Sequence, residues 1–255
     1  MEKLDIKKIN VRFGGLLALS DLSFSIGSGE ILGLIGPNGA GKTTVFNVLT
    51  GVYQTSGGNV LFEGESILGK RPHQILSLGI ARTFQNIALF KGMTTLDNVM
   101  TGRNLKMKKN FLWQSLYYGP ALKEELEHRE AAERVIDFLE IESIRKTVVG
   151  RLPYGLQKRV ELARALAAEP DMLLLDEPMA GMNHEEKEDM CRYILDVNEQ
   201  FGTTIVLIEH DMGVVMDISD HVVVLDYGRK LADGSPDDVR SNQEVIDAYL
   251  GVSHD

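Results

Sequence analysis

Apolar residues in this chain gather into short unbroken runs. EILGLIG (30–36), MLLLDEP (172–178), TTIVLIEH (203–210) and HVVVLDYG (221–228) are rich in branched aliphatics, and each ends at a turn or a polar residue. Runs of this length without polar alternation predict strands buried on both faces, as in a parallel sheet. Between them, helical spacing predicts helices over Lys42–Leu49, Pro120–Glu140, Gln157–Ala168 and His184–Glu199. Strands alternating with helices predict an α/β core. The first sixty or so residues differ: LSFSIGSGEILGLIG alternates around a turn at Gly27–Gly29, which predicts an antiparallel β layer beside the core. From about Gln85 to Arg151 the strand rhythm stops, predicting an inserted helical subdomain. The expected organisation is one domain over 1–255. Its β layer and core come from 1–84 and 171–235, its helical part from 85–170 and a helical tail from 236–255.

Composition narrows the classes. Hydrophobic residues at 44% and charged residues at 25% are a globular balance. A formal net charge of -10 supplies no basic field, so nucleic acid is excluded as an expected partner. Cys191, the single cysteine, has no partner for an internal disulfide and reads as packing. MEKLDIKKIN lacks the apolar core of a secretory signal, and no apolar run reaches the roughly 18 residues of a membrane span. Any membrane role is therefore expected to come through a partner.

One stretch carries strong chemistry. GPNGAGKTT comprises Gly36, Pro37, Asn38, Gly39, Ala40, Gly41, Lys42, Thr43 and Thr44; it follows a predicted strand, opens a predicted helix and fits G-x-x-x-x-G-K-[ST]. Glycines let backbone N–H groups converge on phosphate oxygens, Lys42 neutralises the outer phosphates, and the Thr43 hydroxyl is a ligand for Mg²⁺. The expected ligands are a nucleoside triphosphate and Mg²⁺. MLLLDEP places Asp176 at a strand's C-terminal end, suited to hold Mg²⁺ through water, with Glu177 next to it, suited to orient or deprotonate an attacking water.

With the phosphate loop, LPYGLQKRVELARAL and LLLDEP in this order, the chain resembles the nucleotide-binding subunits of ABC transporters over nearly its whole length. The resemblance implies ATP as the nucleotide and a P-loop NTPase fold with an antiparallel β layer and a helical insertion. It assigns Phe13 to stacking on adenine and Gln85 to a loop that contacts Mg²⁺ and the lytic water and links to the transmembrane partner. It also assigns AGMN (180–183) to a loop where Asn183 replaces a more usual aspartate, and His210 to contact with the γ-phosphate. RFGGLLAL, RTFQNIALFKGMTTLDNV, LIEHDM and DVRSNQEVIDAYLG further resemble LivG-type subunits of branched-chain amino acid importers. The implied partners are a second ATPase subunit (a different chain or another copy), two transmembrane permease subunits and, indirectly, an extracytoplasmic solute-binding protein. The implied location is the cytoplasmic face of the membrane. An importer of amides or urea, and a soluble ABC ATPase uncoupled from transport, stay open as alternatives.

The chain departs from the family where L-S-G-G-Q-Q is expected: Leu152, Pro153, Tyr154, Gly155, Leu156 and Gln157 stand there. The family serine gives a hydroxyl to the γ-phosphate, and proline has neither that hydroxyl nor a backbone N–H. Gly155, and a helix N-terminus expected at Gln157, keep an anion-attracting end. In the head-to-tail dimer that the resemblance implies, Pro153, Tyr154, Gly155 and Gln157 would face the partner's ATP, and with a different chain as partner the two sites need not be equal. Trp113, with Phe111, Tyr117 and Tyr118, reads either as a docking surface or as local core. His184 reads as a cap neighbour and Lys106–Lys109 as a solvated face.

Overall fold

The structure, a computed structural model, describes residues 2–106 and 120–250, with the backbone alone described at 120–122 and 250. Phe111, Trp113, Tyr117 and Tyr118 lie outside the described residues.

Two sheets organise the chain. The first is antiparallel and has the order β2-β1-β4-β5, from β1 (Glu2–Phe13), β2 (Leu16–Gly27), β4 (Gly57–Phe62) and β5 (Glu65–Ser66). The second has the order β10-β9-β3-β8-β7-β6, from β3 (Ile31–Ile35), β6 (Ile80–Arg82), β7 (Met172–Asp176), β8 (Thr204–Ile208), β9 (His221–Asp226) and β10 (Arg229–Gly234). Pairing is parallel from β9 through β3, β8 and β7 to β6, and β10 closes the edge antiparallel. Every residue of β3, β7 and β8 is buried, which is why these strands read as unbroken apolar runs. β1 and β2 bury one face and show the other to solvent, which is why they alternate.

The helices are α1 (Lys42–Leu49), α2 (Pro72–Ser77), α3 (Thr95–Thr101), α4 (Pro120–Phe138), α5 (Tyr154–Leu166), α6 (His184–Phe201), α7 (Met212–Ile218), α8 (Pro236–Ser241) and α9 (Gln243–Leu250). Leu32, Leu34, Val45 and Phe46 pack between the two sheets with Leu4, Ile6 and Leu19. A second core joins the helical part to the other face of the parallel sheet, through Val99, Ile136, Val160, Leu173 and Ile194. Each large aliphatic side chain so buried contributes about 1.5–3 kcal/mol, so the sheet that carries the site is held by packing on both faces.

One helix begins earlier than expected. The start expected at Gln157 lies at Tyr154, because Pro153 sits extended (φ -54, ψ 154) as the N-cap and the chain turns helical directly after it. α6 matches the expected start at His184. Asn183 caps it by accepting from the Glu186 N–H, while the Glu186 carboxylate accepts from the Asn183 N–H.

Candidate nucleotide site

The phosphate loop joins the end of β3 to α1, and its backbone demands glycine. Gly36 (φ 146) and Gly41 (φ 105) sit where a side chain is strained, and a Cβ on Gly36 would run into the Leu225 carbonyl. Gly41 is the N-cap of α1 and supplies no side-chain cap, so the helix N-terminus keeps its N–H groups and its positive dipole for an anion. Ala40 and Lys42 are buried, Pro37 and Thr44 half-buried, and Asn38, Gly39 and Thr43 exposed. The Lys42 ammonium is folded over the loop, donating to the carbonyls of Gly36 (2.6 Å) and Pro37 (3.0 Å). Burial lowers its pKa, and the carboxylates of Glu177 and Asp176 act in the opposite direction. That coupling puts both β7-end carboxylates in the field of the loop lysine. The donor set therefore fits a triphosphate.

Asp176, 2% exposed, closes β7 and pairs with the guanidinium of Arg82 at 2.7 Å. Arg82 also donates to Asn47 Oδ1 at 2.7 Å and lies over the rings of Phe46 and Phe84. Breaking such a buried pair from one side costs on the order of 3–5 kcal/mol, so Arg82 holds the carboxylate in place.

Glu177 leaves the strand in a left-handed conformation (φ 49), rare for a residue with a Cβ. Its N–H donates to the Ile208 carbonyl at 2.9 Å, which holds this turn against β8. The turn aims the carboxylate at two side chains that the resemblance gives to the nucleotide site: Gln85 Nε2 donates to Oε2 at 3.0 Å, and His210 Nε2 lies 2.9 Å from Oε1. Two side chains from two other loops thus meet at the Glu177 carboxylate. His210 is set by Glu209, a buried carboxylate that accepts the His210 N–H at 3.1 Å and the Met179 N–H at 2.8 Å; burial raises its pKa.

Phe13, 44% exposed, ends β1 with its ring 4.9 Å from the Tyr53 ring in an edge-on pair. It presents a free aromatic face near the turn into β2. Gly155, Tyr154 and Gln157 are used differently from the plain anion end that the sequence suggests. The space a Gly155 side chain would need is filled by the Glu186 carboxylate, and Gln157 Nε2 donates to the Leu152 carbonyl of its own loop at 2.7 Å. The Tyr154 ring packs over Gly181, where an added Cβ would lie 3.1 Å from Cε1, so this loop leans on the loop that starts α6. Pro153 and Tyr154 remain exposed.

Four residues of the site have no counterpart in the sequence reading: Arg82, Lys158, Glu209 and Tyr249. The Tyr249 hydroxyl, on the C-terminal α9, feels the Gly36 backbone, which lowers its pKa, but loss of water around it dominates and pushes the pKa up to about 12. Arg82 opens RTFQNIALFKGMTTLDNV three residues before Gln85, and Glu209 stands in LIEHDM next to His210. Lys158 follows Gln157 in LPYGLQKRVELARAL and Tyr249 lies in DVRSNQEVIDAYLG, but nothing in either stretch marks its contact. His184 is exposed beside Glu188, Cys191 is half-buried with its sulfur 3.8 Å from Met179 Sδ, and Lys106 pairs with Glu169. Lys108 and Lys109 lie outside the described residues. Among the described residues no cluster of three or more His, Cys, Asp or Glu side chains stands ready for a metal, and no helix is long and apolar enough to cross a membrane.

Comparison with known proteins bears on this geometry. The family described as ABC transporter matches residues 19–180, and the family described as branched-chain amino acid ATP-binding cassette transporter matches residues 229–255. The high-affinity branched-chain amino acid transport ATP-binding protein BraF of Pseudomonas aeruginosa is 43% identical over 251 residues, covering 97% of each chain. Its counterpart LivG of Escherichia coli is 40% identical over 252 residues, again 97% of each. Among solved structures, the ADP conformation of an ATP-binding cassette of an ABC transporter superposes with a TM-score of 0.86 at 34% identity, over 98% of this chain and 99% of that one.

Proposed function

The chain belongs to the ABC transporter family of ATP-binding subunits, and from that premise we propose that it binds and hydrolyses ATP to drive uptake of branched-chain amino acids, or a related small polar solute, through a membrane permease. The observation that carries the hydrolytic part is the convergence of Gln85 and His210 on Glu177, within 3.0 Å each. Glu177 takes a proton from, or orients, a water attacking in line with the terminal phosphate, Gln85 places that water, and His210 contacts the phosphate and steadies Glu177. Lys42 and the N–H groups of Gly36–Thr44 stabilise the charge that develops on the phosphate oxygens. Phe13 stacks on the adenine.

The residues present also suit Mg²⁺: Thr43 is exposed at the helix start and the Asp176 carboxylate is held rigid by Arg82. The cation would take the Thr43 hydroxyl directly, with Gln85 and Asp176 completing the site, and its chemistry is neutralisation of phosphate charge. The remaining parts of the reading follow the family: a second ATPase subunit closing head to tail so that Pro153–Gly155 faces its nucleotide, two permease subunits, and a location on the cytoplasmic face.

The test is the reconstituted assembly in vesicles, loaded with ATP and offered labelled leucine, an amide and urea in parallel. Leucine uptake with ATP turnover is expected, and Glu177→Gln should cut turnover by about 100-fold or more while the chain retains nucleotide. Uptake of urea or amide alone would move the cargo to the alternative class; turnover indifferent to the permease would put the transport reading aside.

A further inference from the structure

The first three turns of α5 carry ionisable side chains that the hydrolytic scheme leaves unused. Lys158 is 3% exposed, and its ammonium points at three backbone carbonyls: Gln85 at 2.9 Å, Phe84 at 3.4 Å and Glu177 at 3.4 Å. Farther along the same helix face, the Glu161 carboxylate accepts the Ala88 N–H at 3.2 Å and Arg164 Nη1 donates to the Ala88 carbonyl at 2.5 Å. The spacing 158, 161, 164 keeps all three on the side of α5 that meets the 84–88 segment.

A structural ion pair with Glu161 does not account for Lys158. The two side chains stand 3.9 Å apart, and Glu161 Oε2 is buried with no hydrogen-bond partner. The ammonium gives its hydrogens to the carbonyls instead. Burial lowers the Lys158 pKa and raises that of Glu161, so the fold keeps both groups out of water at a cost that surface packing would not require. Two of the three carbonyls belong to Gln85 and Glu177, whose side chains meet each other at 3.0 Å. One nitrogen therefore grips the backbone behind both members of that hydrogen bond. It stands on the helix whose N-cap is Pro153, one turn from Tyr154 and Gly155.

We propose that Lys158 is a positioning residue that sets the separation of Gln85 and Glu177 and passes to them the placement of the Pro153–Gly155 loop. Under the hydrolytic reading, on which this inference rests, nucleotide engaged across the subunit boundary moves α5, and Lys158 carries that movement to this chain's own reactive carboxylate. Lys158 itself touches no nucleotide.

The experiment uses the full chain assembled with its partner ATPase and permease, comparing wild type, Lys158→Met, Lys158→Gln, Gln85→Ala and the Lys158→Met/Gln85→Ala double variant. Lys158→Met should lower kcat at least about tenfold with KM for MgATP, and MgATP affinity of the isolated chain, within about twofold. In the Gln85→Ala background the same change should cost several-fold less than in wild type, because one of the two groups through which it acts is gone. Lys158→Gln, which keeps an N–H donor, should lose less than Lys158→Met and stands in for it if the methionine variant does not assemble. Turnover of the methionine variant within about twofold of wild type, parallel loss of affinity and kcat, or losses that multiply fully with Gln85→Ala would each overturn the inference alone. A wild-type assembly without turnover would overturn the hydrolytic reading and this inference with it.

Discussion

The phosphate loop and the loop before α5 each present a helix N-terminus to an anion, but the two are built in opposite ways. At Gly36–Thr44 the backbone is opened by glycines, the helix start is uncapped, and a buried lysine stands ready above the carbonyls. At Pro153–Gln157 the helix start also lacks a side-chain cap, but the chain is closed in on itself: Gln157 ties back to Leu152, and Glu186 fills the space beside Gly155. The first loop is complete within one chain. The second is furnished for an anion only in part, and on the proposed reading its target belongs to another subunit. An anion site with a lysine and free N–H groups binds alone, whereas one reduced to a helix end and a tyrosine face depends on what a partner brings.

Substitutions divide along that line. The largest effect is expected from Lys42→Ala, which removes a charge-assisted interaction worth about 1.5–3 kcal/mol. MgATP affinity of the isolated chain, measured by titration, should fall at least about tenfold. Unchanged affinity would break the contrast at its stronger end. Phe13→Ala removes a stacking face and should weaken the isolated chain's affinity by about fivefold, the lower end of base–aromatic stacking because the ring is half in solvent. An adenine-free triphosphate should show no such loss, and an equal loss for both ligands would deny Phe13 its role. Pro153→Ser restores a hydroxyl and an N–H to the other loop. It should leave the isolated chain's affinity within about twofold and raise turnover of the assembly by about two- to fivefold. A change in the isolated chain would mean that the second loop acts within its own subunit.

The smallest effect concerns pH. Burial raises the Glu209 pKa, so the folded state binds this proton more tightly than the unfolded one. The stability contribution is full below the ordinary glutamate range, about 4.3, and is lost as pH rises through the folded value. Glu209→Gln carries no such titration. Its melting temperature relative to wild type should therefore climb as pH rises from 4 to 7. A difference that is flat with pH, or that falls, would contradict the burial argument.

Legibility followed the range of the interactions. The apolar runs that became β3, β7, β8 and β9 were readable because burial on both faces leaves no polar alternation, and α1 because its glycines and lysine are contiguous. The start of α5 was displaced by three residues, since Gly155 resembles a loop residue until Glu186 is seen beside it. Gln85 and His210 were identified by family resemblance, and their meeting at Glu177 spans 92 and 33 residues of sequence. Arg82, Glu209 and Lys158 have no pattern of their own. Each is an ordinary charged residue whose partner lies on another element.

What the amino-acid order decided alone is therefore whatever depends on neighbours in the chain: the strand runs, the helix faces, the phosphate loop, and the absence of a hydroxyl and an N–H at Pro153. Those follow from backbone geometry and side-chain chemistry that no tertiary context alters. What only the folded chain decided is the direction of charge: Lys42 over its own carbonyls, Asp176 against Arg82, Glu177 between Gln85 and His210, and Lys158 behind them. A charged group's partner and its hydration depend on what packs around it, and packing at this site joins strands and loops that are far apart in sequence.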